Sequence, residues 1–192
     1  MGLIKNNAQK WAFIHIPKTG GTSLTSIIQN IEGSELVAVH DSIRVFEDVS
    51  DFFIFTIVRN PFTRIASAYS HRLRKNEYKK SFGEFITELS ENHLDLIPQS
   101  YYINAGKDEN KEVSFIAKYE NYTHDIQKIL KKINHRSSIP HLNRNPIYDK
   151  HPHLNQEKFY RNLYSQDWMI ENILERYKDD FKIFNYELDL PR

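Results

Sequence analysis

Residues 17–23 read "PKTGGTS", and this set of side chains can hold and activate an anion. The segment lies between an apolar run and a helix-like one, so it forms a strand–loop–helix turn. Such a turn gathers backbone N–H groups and a helix N-terminus around one point, where negative charge is favoured. Gly20 and Gly21 permit positive φ and close approach of an oxygen, and Thr22 and Ser23 add hydroxyls in the first helical turn. The order differs from the Walker A pattern G-x-x-x-x-G-K-[ST], in which the lysine follows the last glycine. Here Lys18 comes first, fixed by Pro17 above a helix N-terminus whose own charge is positive, so it needs an anion beside it. The glycines alone fit a tight turn with an ordinary cap equally well; the lysine favours the anion.

A second set lies in "VRNPFTRIASAY" (58–69). Arg59 ends an apolar run, and ligands of open α/β sheets bind outside the carboxyl ends of such strands. Asn60, Arg64 and Ser67 follow i, i+4, i+7 spacing, which puts them on one helical face turned back toward the strand end. An arginine fork with the Ser67 hydroxyl suits a phosphate separate from the first. Taken singly, Arg59 also fits a strand-end ion pair and Ser67 a small residue at a helix–sheet contact.

These residues need elements to position them. "WAFIHI" (11–16), "ELVAV" (35–39), "FFIFTIV" (52–58) and "VSFIAKY" (113–119) read as strands, and their near-continuous apolar runs predict a parallel sheet. Helices are predicted over 22–31, from Asn60-Pro61 onward, over 122–133 and over 167–181, each with an apolar stripe. Strands alternating with helices give an α/β domain, and the 192 residues fit a single one spanning 1–192. The stretch 134–160, with Pro140, Pro146 and Pro152, reads as a long ordered loop.

Composition narrows the function. A formal net charge of +1 gives no global attraction to nucleic acid or membrane. The absence of cysteine excludes disulfides and thiolate catalysis and suits a reducing, cytoplasmic setting. The longest apolar stretch, 52–58, is far too short to span a bilayer.

The paired motifs "FIHIPKTGGTSL" (13–24) and "FTIVRNPFTRIASAY" (55–69) resemble those of the sulfotransferases, in the branch holding the heparan and chondroitin O-sulfotransferases and many small bacterial members. "KYENYTHDIQKIL", "PHLNRNP" and "RYKDDFKIFNYEL" extend the likeness over most of the chain. The resemblance implies a P-loop nucleotide-kinase-like fold of three layers, with a central parallel sheet flanked by helices. It implies 3′-phosphoadenosine 5′-phosphosulfate (PAPS) as donor cosubstrate, 3′,5′-bisphosphoadenosine (PAP) as product, and no metal. By position, Pro17, Lys18, Thr19, Gly20, Gly21, Thr22 and Ser23 match the loop for the 5′-phosphosulfate, and Arg59 and Ser67 match the 3′-phosphate ligands.

Sulfuryl transfer resembles phosphoryl transfer, an in-line displacement governed by positioning and electrostatics. Lys18 is then expected at the bridging oxygen, stabilising the leaving bisphosphate. The acceptor proton needs a base. His40, ending the second predicted strand in "VAVHDSIR", is the candidate and loosely matches the histidine of related polysaccharide sulfotransferases; Asp41 is an alternative or an orienting partner. His15, inside a strand, reads as a packed core residue. His135, His141, His151 and His153 include a poorly chelating "HPH" and lack a clear carboxylate partner, so zinc is not expected. Asn143 and Arg144 are candidates to cover the nucleotide. The basic run "HRLRKNEYKK" (71–80) reads as a solvated helix face or a landing strip for an anionic glycan. A small-molecule or glycan acceptor is expected, in a pocket built from the loops within 72–110 and 134–160. Two other functions stay in view: a P-loop kinase or NTPase, disfavoured by the lack of G-K-[ST] and of an acidic Mg²⁺ ligand at residues 59–60, and a catalytically silent nucleotide-binding module.

Overall fold

The computed structural model describes residues 2–39, 41–89, 96–104, 111–137 and 156–191. The chain forms two compact units, Met1–Val58 with Gln99–Asn143 and Arg59–Pro98 with Arg144–Arg192.

The first unit carries a five-stranded sheet. Its strands are β1 (Gly2–Asn6), β2 (Trp11–Ile14), β3 (Ser34–Val39), β4 (Phe53–Val58) and β5 (Phe115–Lys118), in the order β3-β1-β2-β4-β5. The expected parallel sheet is in fact mixed. β2 pairs with β4 and β4 with β5 in parallel, whereas β1 runs antiparallel to both β2 and β3. β1 was not predicted, because Leu3 and Ile4 are the only large apolar residues in a short, polar-tipped segment. What holds it is the hairpin to β2, with Ile4 opposite Phe13. Asn6 serves both neighbours: its amide nitrogen donates to Glu32 O at 2.9 Å, and its oxygen accepts from Gln9 N at 2.9 Å. β1 also changes the environment of β3, which was expected to be buried. β3 lies at the edge of the sheet, with Leu36 61% and Val39 58% exposed. Since β1 opposes both neighbours, β2, β3, β4 and β5 all point the same way.

Helices α1 (Gly21–Ile28) and α5 (Tyr122–Lys132) pack on one face of this sheet. Alternation in β2 and β4 sends Trp11, Phe13, Phe55 and Ile57 toward Leu24, Ile27 and Ile28 of α1 and Ile126, Ile129 and Leu130 of α5. Each such side chain contributes roughly 1.5–3 kcal/mol through burial. Leu24→Ala, at a fully buried position, would cost about 2–5 kcal/mol. The helix α4 (Gln99–Ile103) belongs to the same unit.

The second unit is helical: α2 (Pro61–Arg74), α3 (Phe82–Thr87), α6 (Gln156–Leu163), α7 (Asp167–Arg176) and α8 (Lys178–Ile183). α2 begins as predicted, with Pro61 at its first position and the Asn60 side chain accepting from Phe62 N at 2.9 Å. Its Phe62, Ile65 and Tyr69 meet Phe82 and Phe85 of α3 and Tyr160, Ile173 and Phe181 of the C-terminal helices in one apolar core. Two differences from expectation occur here. α6 begins at Gln156, inside the stretch read as loop, whose residues 138–155 lie outside the described ones. The single helix predicted over 167–181 is divided at Tyr177, which leaves helical geometry at φ −112° and ψ 22°. The apolar stripe continues across the break, so periodicity could not reveal it. Among the described residues no helix is long and apolar enough to cross a membrane.

Candidate active site

The loop after β2 has the shape its sequence suggests. Lys18 sits in left-handed backbone at φ 68°, Gly20 follows at φ 85°, and α1 begins at Gly21. A lysine at positive φ is unusual. The N-terminus of α1 has no side-chain cap and no acidic residue in its first turn. Lys18 is half-buried beside it. With partial positive charge from the helix end, a lysine beside it and no acidic residue in the first helical turn, the loop suits an anion electrostatically.

The members of the loop divide by task. Thr19, expected to bind, turns its buried hydroxyl inward and donates to Ile16 O at 2.8 Å, so it shapes the loop. Pro17 and Ser23 are buried, while Thr22 and Gly20 are half-buried. Gly20 and Gly21 are glycines for different reasons. Gly20 needs its backbone angle, and a Cβ there would also lie 3.0 Å from Cδ2 of Tyr119 and 3.1 Å from Cε2 of Tyr122. Gly21 needs the space, because a Cβ would come within 2.4 Å of His15 Cδ2. His15 is the packed residue expected: it is 4% exposed, and its ring stacks on Phe13 with centroids 5.7 Å apart.

The two tyrosines were missed. Tyr122 opens α5, and its hydroxyl donates to Gly20 O at 3.1 Å. Burial pushes the Tyr122 phenol up to about 12, so it keeps its proton at neutral pH. Only the position of these residues at the end of β5, the strand beside β4, could have pointed to them.

In the second unit Arg59 follows β4 directly and is 4% exposed. Its Nε donates to Thr63 Oγ1 at 3.0 Å, and that hydroxyl donates to Asn60 O at 3.1 Å. The guanidinium carbon lies 5.4 Å from the ring centroid of Tyr160. Thr63 and Tyr160 are thus positioning partners that spacing alone did not identify. Ser67 is half-buried on α2. Of the face expected from Asn60, Arg64 and Ser67, Asn60 caps α2, and the fully buried Arg64 sends Nη1 to Ile97 O at 2.8 Å.

The basic run is engaged locally. The Arg72 guanidinium lies over Phe85, Arg74 contacts His71, Lys75 pairs with Glu77 at 3.8 Å, and Lys80 pairs with Glu88. Asp41 accepts from Ser42 N at 2.7 Å. His135 Nε2 lies 2.7 Å from Ser137 Oγ. His40, His141, Asn143, Arg144, His151 and His153 lie outside the described residues.

A family model described as "Sulfotransferase family" matches residues 2–187. No curated protein and no solved structure matches the chain.

Proposed function

Since the chain belongs to the sulfotransferase family, we propose that it moves a sulfuryl group from PAPS to a hydroxyl of a carbohydrate or other small acceptor, in the cytoplasm and without a metal. The observation that carries this reading is the start of α1: left-handed Lys18 and Gly20, no side-chain cap and no acidic residue in the first turn.

In this reading residues 1–192 act as one catalytic domain of P-loop type. Pro17, Lys18, Gly20, Gly21, Thr22 and Ser23 receive the 5′-phosphosulfate, while Thr19 holds the loop. Arg59, oriented by Thr63 and Tyr160, and Ser67 receive the 3′-phosphate. The acceptor oxygen forms its bond to sulfur as the bond from sulfur to the 5′-phosphate oxygen breaks. Lys18 neutralises the charge that grows on that leaving oxygen, an electrostatic contribution worth on the order of 10²–10³ in rate. His40 takes the acceptor proton; a histidine with its ordinary value near 6.5 can do so at neutral pH. For a P-loop kinase the end of β4 offers Arg59-Asn60 where an acidic Mg²⁺ ligand would be wanted.

The test is thermal shift with PAP against ATP plus Mg²⁺, followed by sulfate transfer from PAPS to a panel of hydroxyl acceptors. Stabilisation by PAP and transfer to at least one acceptor are expected, with transfer collapsing in Lys18→Ala while PAP still binds. Preference for ATP would instead support the kinase, and PAP binding without transfer the silent module.

A further inference from the structure

The first four amides of an α-helix have no carbonyl four residues back to bond. With Gly20 at the N-cap of α1, these belong to Gly20, Gly21, Thr22 and Ser23. The Ser23 amide donates to Gly20 O at 3.3 Å. The other group that meets this turn is Tyr122, at the start of α5. That tyrosine lies 102 residues away in sequence, and its own proton goes to Gly20 O at 3.1 Å. Tyr122 therefore holds the carbonyl of the N-cap residue of α1 from outside the helix. Among the described residues, the amides of Gly21 and Thr22 have no hydrogen bond.

The consequence is directional. Gly20 C=O and Gly21 N–H belong to one planar trans peptide, so they point in opposite directions. A bond that draws the carbonyl toward Tyr122 aims the Gly21 amide away from it. Without that bond, a glycine at φ 85° has other orientations open to it.

Building on the sulfotransferase reading, we propose that Tyr122 is a positioning residue: by fixing the Gly20–Gly21 peptide, it leaves the Gly21 and Thr22 amides aimed at the 5′-phosphosulfate of the donor. Its ring, against Gly20, supplies packing, and its hydroxyl supplies the aim.

Tyr122→Phe keeps the ring and removes the hydroxyl. Calorimetric titration with PAP and with adenosine 3′-monophosphate separates aim from general damage. The expected result is a loss of about tenfold in PAP affinity, the size of one hydrogen bond, with 3′-monophosphate binding unchanged. Unchanged PAP affinity, or equal losses for both ligands, would overturn the proposal. Amide exchange in the unsubstituted protein tests it even if the variant does not fold. Gly21 and Thr22 should exchange fast without PAP and be protected with it; protection of both without PAP, or of neither with it, would overturn it. If the unsubstituted protein binds ATP and not PAP, the sulfotransferase reading itself fails and this inference with it.

Discussion

Gly21 shows how one position can be fixed by a neighbour rather than by its own backbone. His15 occupies the space a methyl group would take there, with 2.4 Å left between a Cβ and Cδ2 and 2.7 Å to Nε2. Because His15 is stacked on Phe13 and buried, it cannot swing aside, and overpacking of this kind costs about 1–3 kcal/mol. Gly21→Ala should therefore lower the melting temperature, and lower it less in a chain already carrying His15→Ala. Equal losses in both backgrounds would show that the histidine is not the obstacle. At Arg59 the structure adds an orientation to a charge. Thr63 takes Nε, and the planar guanidinium rests over Tyr160, so the fork is held before a ligand arrives. Loss of a charged hydrogen bond costs roughly 1.5–3 kcal/mol, so Arg59→Ala should weaken donor binding by about ten- to a hundredfold. That loss should shrink sharply with adenosine 5′-phosphosulfate, which lacks the 3′-phosphate. Titration of the two donors checks this, and equal losses would remove Arg59 from its assigned place.

Among the elements, α3 shows how a six-residue helix is held. Ser81 and Glu84 form a reciprocal capping box, with Glu84 Oε2 accepting from Ser81 N at 2.8 Å and Ser81 Oγ accepting from Glu84 N at 3.3 Å. The Ser81 hydroxyl, and then its amide, hold the Glu84 carboxyl below its ordinary range, and the Lys80 ammonium does the same for Glu88. A carboxyl depressed in the folded state stabilises above its unfolded value and loses that contribution as pH falls through the folded one. Urea unfolding followed downward through the carboxylate range should show stability falling, with a shallower fall in Glu84→Gln/Glu88→Gln. An identical acid slope would show that these contacts do not couple to folding. The strands β2, β4 and β5 and the helices α1, α2 and α5 were legible because an apolar run or stripe ends in a recognisable signal, such as Asn60-Pro61 before α2. β1 was not, because its stability comes from pairing on both sides rather than from its own residues. The turn into α1 was legible from Lys18, Gly20 and Gly21 themselves. Its supports, Tyr119 and Tyr122, come from the far end of the sheet, and Thr63 and Tyr160 support Arg59 by tertiary contacts that no spacing encodes.

For the molecule as a whole, charge is nearly balanced, with 26 Lys and Arg against 25 Asp and Glu. The most basic stretch spends much of its charge on neighbours, through Lys75 with Glu77 and Lys80 with Glu88. Long-range attraction to polyanions should therefore be weak, and at about 0.15 M salt it is screened beyond roughly 8 Å. The protein is expected to leave a sulfated-polysaccharide column at low salt; retention well above physiological salt would show a basic surface that this pairing does not neutralise. The placement of β1 has a further consequence for how the nascent chain takes shape. This strand leaves the ribosome before either of its neighbours. β2 emerges four residues later, so the Ile4–Phe13 hairpin can close early. The opposite side of β1 stays open until α1 and then residues 34–39 have been synthesised, so that sheet assembly works backward onto a strand translated before both of its neighbours.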